Sequence, residues 1–271
     1  EFDPIFEDMY DYCEAQELEV DTLIHESGAA QMEINFLHGD AIDLADQVFL
    51  FKRTMREAAH RHGIYATFMA KPMSDEPGSA MHIHQSLEDA EGRNLFGTSE
   101  GGNSALFMHF IAGLQKYTPA VTALLAPNVN SYRRLTFGES APRNVQWGVE
   151  NRTCGLRVPF SEPSARRVEN RFAGADANPY LALAATLACG YLGMLEKLEP
   201  MQEMKASAYD LPYSLPRSLE ESLSHLEQCE PIKDMLGERF IRAFVAVKRK
   251  EYETYFGVIS RWEREFLLLN V

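Results

Sequence analysis

The sequence contains few cysteines, and their spacing matches no recognisable motif. Cys13, Cys154, Cys189 and Cys229 lie far apart among 271 residues, without a C-x-x-C pair. That pattern excludes a disulfide-stapled secreted scaffold and gives no sign of a cysteine zinc site. We therefore expect free thiols in a reducing compartment, which predicts a cytoplasmic protein.

The chain also lacks a membrane-length apolar run and an excess of basic residues. Its longest apolar stretch, 180–195, falls short of the roughly 20 residues that a membrane span needs, and it contains two glycines. The 26 Lys and Arg residues are outnumbered by 40 Asp and Glu, for a formal net charge of −14. We therefore expect neither a membrane nor nucleic acid as a partner. The length and composition instead predict a globular protein with an ample core.

Hydrophobic periodicity and capping residues predict several helices separated by short strands. Asp40 is suited to cap one helix, and Asn178-Pro179 is suited to open a buried one. Helical patterns cover 4–16, 40–62, 104–126, 179–195 and most of the chain after Ser218. Strand patterns cover 18–26, 31–36, 65–71, 81–84, two pieces within 147–159, and 164–172.

The segment 164–172 carries the strongest chemical signal. If it is a strand, Arg167, Glu169 and Arg171 project from one face, because side chains alternate along a strand. Two guanidiniums beside one carboxylate form either an ordinary ion-pair ladder or a site for an anionic substrate. In the second case the arginines hold phosphate or carboxylate groups, and the glutamate holds a cation.

Other charged residues leave similar alternatives open. The predicted hairpin brings Glu26 and Glu33 together near its turn, either as a cation site or as ordinary surface glutamates. His82 and His84 share one face of a strand, which suits metal or phosphate binding, although an H-x-H pair alone is weak evidence. The segment 130–134, Asn-Ser-Tyr-Arg-Arg, is too rich in arginine for a simple connector.

Five motifs occur in the order seen in glutamine synthetases. They are Met81-His-Ile-His-Gln-Ser, Asn130-Ser-Tyr-Arg-Arg-Leu, Asn151-Arg-Thr-Cys-Gly-Leu-Arg, Arg166-Arg-Val-Glu-Asn-Arg-Phe and Ala177-Asn-Pro-Tyr. The resemblance covers roughly 19–199 and extends more loosely over the C-terminal helices. The residues of several motifs resemble those of the glutamate–polyamine ligase branch of the family more than those of its ammonia-using members.

The resemblance implies a role for each matching residue. Two divalent cations, Mg²⁺ or Mn²⁺, would be held by four side chains: Glu26, Glu33, His82 and Glu169. ATP, its phosphates or the phosphate in transfer would contact five residues: His84, Ser86, Arg152, Arg157 and Arg167. Glutamate would be held by Gly78, Arg134 and Arg171. Arg152 would be catalytic, as would the loop residues Glu139 and Ser140 near the amine.

Two substitutions depart from the ammonia-using pattern. Ser140 stands directly before Ala141-Pro142, where those enzymes place a glutamate that takes a proton from ammonium, and Glu139 lies one position early. Pro77 replaces an asparagine that touches glutamate in those enzymes. Both changes favour an amine other than ammonia.

The family also has parts that have no counterpart in this sequence. A metal-binding Glu-x-Glu strand and a small N-terminal β-grasp domain precede the region of resemblance. The residues Glu17-Leu18-Glu19 also match a Glu-x-Glu pattern, but they follow the first predicted helix, so we assign them no role. We therefore expect 1–271 to form a C-terminal catalytic domain without those two elements.

The expected fold is α+β, with a curved antiparallel sheet wrapped by helices. The expected activity is an ATP-dependent ligation of the γ-carboxylate of glutamate to an amine, such as putrescine or another polyamine, through a γ-glutamyl phosphate. By resemblance the assembly is a homo-oligomer, a dodecamer of two stacked hexameric rings. The alternatives are a glutamine synthetase and an inactive structural relative.

Tyr209 resembles a tyrosine that is adenylylated in some bacterial glutamine synthetases, but a packed loop residue is the simpler interpretation.

Overall fold

Helices and short strands build an α+β fold in the computed structural model, which describes residues 3–137 and 140–271. The helices are α1 (Asp3–Ala15), α2 (Ala41–Arg61), α3 (Ala105–Leu125), α4 (Ser131–Phe137), α5 (Pro179–Glu196), α6 (Leu219–Gln228), α7 (Glu230–Leu236), α8 (Glu238–Phe256) and α9 (Arg261–Phe266). The strands are β1 (Val20–His25), β2 (Met32–Phe36), β3 (Ile83–Gln85), β4 (Trp147–Val149), β5 (Leu156–Val158) and β6 (Val168–Asn170).

The predicted hairpin is confirmed as the antiparallel pair of β1 and β2. Ile24 lies opposite Glu33 in its register. On the other face, Phe36 contacts Phe51 of α2 edge to face, with ring centroids 5.2 Å apart. This apolar contact packs one face of the hairpin against a small core that also includes Met9 of α1. The opposite face carries Glu33.

The start of α2 follows the prediction closely. The side chain of Asp40 accepts hydrogen bonds from the backbone N–H groups of Ile42 and Asp43, which have no partner within the helix. Gly63 follows the last turn with a φ of +73°, a conformation that glycine adopts without a steric cost.

A four-stranded sheet in the order β3-β6-β5-β4 lies at the centre. β6 pairs antiparallel with both β3 and β5, but β4 and β5 run parallel. The expectation of a purely antiparallel sheet is therefore wrong for this edge. The chain leaves β4 through Glu150, whose φ is +50°, and the following loop brings β5 into the sheet in the same direction.

Two long apolar helices, α3 and α5, pack against each other behind this sheet. Ser104 caps α3, and Asn178 caps α5 as predicted. A Cβ atom at Gly113 would lie 2.7 Å from the Cα atom of Gly193, so the close approach of the helices requires glycine at the contact. In the described parts of the chain, no helix is long and apolar enough to cross a membrane.

One strand prediction is wrong. No strand forms over 65–71; instead, the side-chain amide of Asn130 hydrogen-bonds both the N–H and the C=O of Lys71, at 2.8 and 2.9 Å. A side chain thus occupies the backbone groups that a neighbouring strand would use. The arginine-rich segment forms the helix α4, for which the sequence analysis made no secondary-structure prediction. The helical prediction after Ser218 is confirmed by α6 to α9, and all four cysteines are free thiols.

Candidate active site

The centre of the candidate site is a row of three polar side chains across the sheet. His84 on β3 and Arg157 on β5 both lie directly opposite Glu169 on β6. Directly opposite residues in a sheet share a face, so these three side chains project to the same side. Glu169 is only 2% exposed, so its charge must be balanced locally.

Two guanidiniums hold the Glu169 carboxylate. Arg157 Nη1 donates to Oε2 at 2.8 Å, and Arg171 Nη1 donates to Oε1 at 2.6 Å. Burial alone would raise the pKa of Glu169, but the charge of Arg171 and the Arg157 hydrogen bond outweigh it and lower the pKa to about 2. The side chain is therefore a carboxylate over the whole physiological range.

Arg167 contacts this cluster through His84 but does not pair with Glu169, so the prediction that it flanks the carboxylate together with Arg171 is wrong. The regular strand covers only Val168–Asn170, so the strict alternation does not extend to Arg167. Arg167 Nε donates to His84 Nδ1 at 3.2 Å, and Nη1 donates to the Ala165 carbonyl oxygen. The second guanidinium on Glu169 comes from the neighbouring strand instead.

His82 lies beside the same carboxylate. Its Nδ1 atom is 3.2 Å from Oε1 of Glu169. Burial of the ring, together with the nearby charge of Arg171, lowers the pKa of His82 to about 3. The imidazole is therefore neutral at physiological pH, which is the form that binds metal ions.

The residues predicted to hold glutamate also lie together. Arg134 is buried, and it donates through Nη1 to the Phe172 carbonyl and through Nη2 to the Arg171 carbonyl, at 2.9 and 2.8 Å. Burial lowers its pKa to about 10. A Cβ atom at Gly78 would lie 2.8 Å from Arg134 Cγ, so only glycine allows this backbone to lie against the arginine. Gly78, Arg134 and Arg171 thus form one patch.

The hairpin carries the other predicted metal ligands. Glu26 N–H donates to the Gln31 carbonyl oxygen, and Glu33 lies opposite Ile24, so the two glutamates are diagonal neighbours on one face. Burial, followed by a hydrogen bond with Glu26, raises the pKa of Glu33, and the negative charge of Glu169 adds to the effect. In the described parts of the chain, neither carboxylate forms an ion pair with Lys or Arg.

These donors suit a hard divalent cation, because carboxylate oxygens and a neutral imidazole are the ligands that Mg²⁺ and Mn²⁺ accept. The fit is best at the hairpin, where Glu26 and Glu33 repel each other without a basic partner. At the sheet, both oxygens of Glu169 accept from guanidiniums. Within residues 3–137 and 140–271, no three His, Cys, Asp or Glu side chains converge as a complete metal centre.

The remaining predicted residues lie at the surface or outside the described residues. Arg152 is exposed in the loop between β4 and β5. Ser86 and Ser140 are also exposed. Glu139 lies outside the described residues.

Glu150 is a site residue that the sequence analysis missed. Its Oε2 atom accepts from Arg157 Nη2 at 2.9 Å, and its Oε1 atom accepts from the backbone N–H of Phe160 at 2.5 Å. Arg157 is therefore fixed between two carboxylates. The available signal was an acidic residue immediately before the Asn151-Arg152 motif, but nothing in the pattern indicated its positive φ.

Comparison with protein families identifies the architecture. The model of the glutamine synthetase catalytic domain matches residues 1–267. The chain belongs to this family. A solved structure described as "Apo GmaS without ligand" superposes with a TM-score of 0.89 at 33% identity, covering 98% of this chain and 63% of that one.

Curated relatives of this glutamine synthetase family member carry more than one activity in their names. A glutamine synthetase of Pyrococcus abyssi is 40% identical over 249 residues, covering 89% of this chain and 56% of the relative. The γ-glutamylputrescine synthetase of Escherichia coli is 36% identical over 273 residues, covering 99% and 57%. A glutamate–isopropylamine ligase of a Pseudomonas species is 36% identical over 244 residues, covering 88% and 53%. The chain spans about half the length of these relatives.

Proposed function

We propose that this chain is the catalytic domain of an ATP-dependent ligase that joins the γ-carboxylate of glutamate to an amine. The observation that carries the proposal is the buried Glu169 carboxylate, held between Arg157 and Arg171 with two histidines beside it. Phosphoryl transfer depends on positioned positive charge far more than on a protein nucleophile. This cluster provides several positive charges on one face of a rigid sheet.

The donor set supports two cation positions. Glu26 and Glu33 would hold one Mg²⁺ or Mn²⁺, and His82 with Glu169 would hold the other. Such cations neutralise phosphate oxygens during transfer. The pairing of Glu169 with Arg157 and Arg171 keeps its carboxylate ionised, while the neutral ring of His82 leaves a nitrogen lone pair for binding.

The protein side chains would then guide two steps. Arg152, Arg157 and Arg167, with His84 and Ser86, would bind the nucleotide and its phosphates. Gly78, Arg134 and Arg171 would orient glutamate so that its γ-carboxylate oxygen attacks the terminal phosphorus of ATP. The bond to ADP breaks, and γ-glutamyl phosphate forms. The amine nitrogen then attacks the γ-carbonyl carbon, phosphate leaves, and the nitrogen loses a proton.

The loop before Ala141-Pro142 supports an organic amine as the nucleophile. Ammonium is small and must lose a proton before it can attack, which favours a carboxylate near the reacting carbon. Ser140 has no charge to supply, and Glu139 occupies the preceding position. A diamine has a second ammonium that can bind elsewhere, so its orientation need not depend on this loop alone. The names of two relatives, a γ-glutamylputrescine synthetase and a glutamate–isopropylamine ligase, support the same class.

The test is ATP turnover by the intact protein with glutamate and a panel of amines: ammonium, isopropylamine, putrescine and a longer polyamine. We expect kcat/KM for putrescine or a related polyamine to exceed that for ammonium at least roughly tenfold, about 1.4 kcal/mol in transition-state binding. Ser140→Glu should shift selectivity toward ammonium. Ser140→Ala is the matched control, because it removes the hydroxyl without adding charge.

Glutamine synthetase itself is the second candidate, supported by the 40% identity to the Pyrococcus abyssi enzyme. Equal efficiency with ammonium and putrescine would favour it. No ATP turnover with any amine would instead favour an inactive structural relative. We also propose a cytoplasmic ring-shaped homo-oligomer, for which the mass of the intact assembly in solution is the direct test.

A further inference from the structure

The hairpin that carries Glu26 and Glu33 needs contacts outside itself to hold its turn in place. Strands β1 and β2 form a sheet of their own, while the central sheet has the order β3-β6-β5-β4. A two-stranded hairpin by itself is only marginally stable in water. The position of the turn is therefore determined by contacts with neighbouring parts of the chain.

The half-buried side chain of Gln31 makes such a contact at the turn. Its Nε2 atom donates to the carbonyl oxygen of Gly78 at 3.0 Å and to the hydroxyl oxygen of Ser79 at 3.3 Å. Its Oε1 atom accepts from the backbone N–H of Gly28 at 3.2 Å. This one side chain therefore shapes the turn and also joins it to the segment 76–79.

The main chain of Gln31 connects these contacts to the two carboxylates. Its carbonyl oxygen accepts from the backbone N–H of Glu26 at 2.9 Å. Glu33 follows Gln31 by two residues, on β2. Because the residues that carry the carboxylates flank Gln31 in this way, a displacement of Gln31 would change the distance between them.

The segment 76–79 is itself attached to the rest of the protein. Ser79 N–H donates to the Ala70 carbonyl oxygen at 2.8 Å, and the Ser79 carbonyl oxygen accepts from Ala175 N–H at 3.1 Å. Gln31 thus holds the turn against a segment that is hydrogen-bonded on both sides of its own backbone.

Glu76 makes a second contact between the same two segments. Its Oε2 atom accepts from the backbone N–H of Ala29 at 3.0 Å, and its carbonyl oxygen accepts from Lys71 Nζ. Removal of Glu76 would also change the charge near the hairpin. Gln31 is neutral, so its substitution tests position without changing that charge.

We propose that Gln31 is a positioning residue that sets the affinity of the Glu26–Glu33 pair for a divalent cation. It does not bind the cation; it holds the turn so that the two carboxylates stay close enough to share one ion despite their mutual repulsion. Residues that support metal ligands typically contribute roughly 10–100-fold to metal affinity. The inference rests on the proposed function, because the cation position at the hairpin is part of it.

The direct test is Mn²⁺ binding to the intact protein without ATP, glutamate or amine, measured by the electron paramagnetic resonance signal of free Mn²⁺. Glu33→Gln identifies the hairpin position as the binding that this substitution removes. Gln31→Met should raise Kd at that position about tenfold, because it keeps the length of the side chain but loses its amide. Gln31→Asn should also raise Kd, because the shorter amide no longer reaches Gly78.

Gln47→Met is the matched control. Gln47 Oε1 accepts from the backbone N–H of Glu19 at 2.8 Å, so it attaches the opposite end of the hairpin to α2. The same substitution there should change Kd for Mn²⁺ less than about twofold. Equal effects of Gln31→Met and Gln47→Met would overturn the proposal, as would Mn²⁺ binding that Glu33→Gln leaves unchanged.

Amide hydrogen exchange shows where the cation acts, independently of activity. In the unsubstituted protein, Mg²⁺ should slow exchange in peptides that cover 26–33 and in peptides that cover 76–80. Gln31→Met should reduce the slowing at 76–80, because the side chain that joins the two segments is lost, whereas Gln47→Met should retain it. Equal slowing at 76–80 in both variants would contradict the positioning role.

Turnover separates this role from the proposed function. If Mn²⁺ binding responds as expected but the intact protein turns over ATP with no amine, the positioning role stands and the proposed function fails. If amine-dependent turnover is observed and Gln31→Met binds Mn²⁺ as tightly as the unsubstituted protein, the positioning role fails and the proposed function stands.

Discussion

Two groups of carboxylates in this molecule differ in whether basic side chains balance their charge. At the sheet, each oxygen of Glu169 accepts a hydrogen bond from a guanidinium, and its pKa is lowered to about 2. At the hairpin, Glu26 and Glu33 lie beside each other without a basic partner in the described chain, and the pKa of Glu33 is raised. The protein neutralises the first group itself and leaves the second with uncompensated negative charge.

This difference predicts different consequences of removing each carboxylate. A buried carboxylate paired by two arginines is costly to disrupt, because either partner left alone has lost its water. Two carboxylates that repel each other lower stability until a cation arrives, so they are retained where cation binding is useful. We therefore expect Glu169 to matter for folding and function together, and the hairpin pair to matter mainly for cation-dependent behaviour.

The largest expected effect comes from removing the charge at the sheet. Glu169→Gln leaves the buried Arg171 without its counter-ion and Arg157 with Glu150 alone, so the free energy of unfolding should fall by about 3–5 kcal/mol. Urea titration at pH 7 measures the change. Glu150→Gln is the control, because that carboxylate also pairs with Arg157 but its side chain is 36% exposed. It should cost less than about 1 kcal/mol, and equal losses would contradict the comparison.

An intermediate effect is expected at the hairpin. Mg²⁺ added to the intact protein should raise the free energy of unfolding, by about 2.7 kcal/mol at a hundredfold excess over Kd. Glu33→Gln should abolish most of that gain while leaving the cation-free protein as stable or more so, since repulsion with Glu26 is relieved. Glu19→Gln, an exposed glutamate just before β1, is the control. A Mg²⁺ response that survives Glu33→Gln would remove the hairpin from the cation site.

The smallest effect concerns a partly buried lysine. Lys52 Nζ donates to the Ala177 carbonyl at 2.8 Å, and burial lowers its pKa from 10.5 to about 8. Between pH 8 and 10.5 the unfolded chain binds more protons than the folded one, so this group makes stability rise with pH there. Lys52→Met should stabilise most below pH 8 and progressively less toward pH 10.5. Urea titrations at pH 7 and pH 10 provide the comparison, and a pH-independent difference would contradict it.

Local signals predicted much of the fold because they depend on neighbouring residues. Asp40 and Asn178 cap helices as expected, since a capping side chain bonds N–H groups two or three residues away. The hairpin likewise follows from alternation around a small-residue turn. The segment 65–71 has the same strand-like composition, yet Asn130 occupies its backbone groups at Lys71. That competition comes from far along the chain and leaves no local signal.

In the candidate site, too, local patterns predicted some residues, and contacts between distant parts of the chain decided others. The alternation in 164–172 by itself singled out Glu169 and Arg171 as side chains on one face, and both lie at the centre of the cluster. It could not indicate that Arg157 of a neighbouring strand, rather than Arg167, supplies the second guanidinium. Strand pairing and the short length of β6 decide which arginine comes within reach.

The sequence by itself determined the chemistry available to this protein: acidic side chains, arginines and two histidines at spacings set by local periodicity. Only the tertiary structure decided which of those charges are satisfied within the protein. Arg157 and Arg171 reach Glu169 because the strands pair in one register, while the hairpin places Glu26 beside Glu33, where no Lys or Arg of residues 3–137 and 140–271 pairs with either. Charge balance depends on distances between residues remote in the chain, and those distances exist only once the chain is folded.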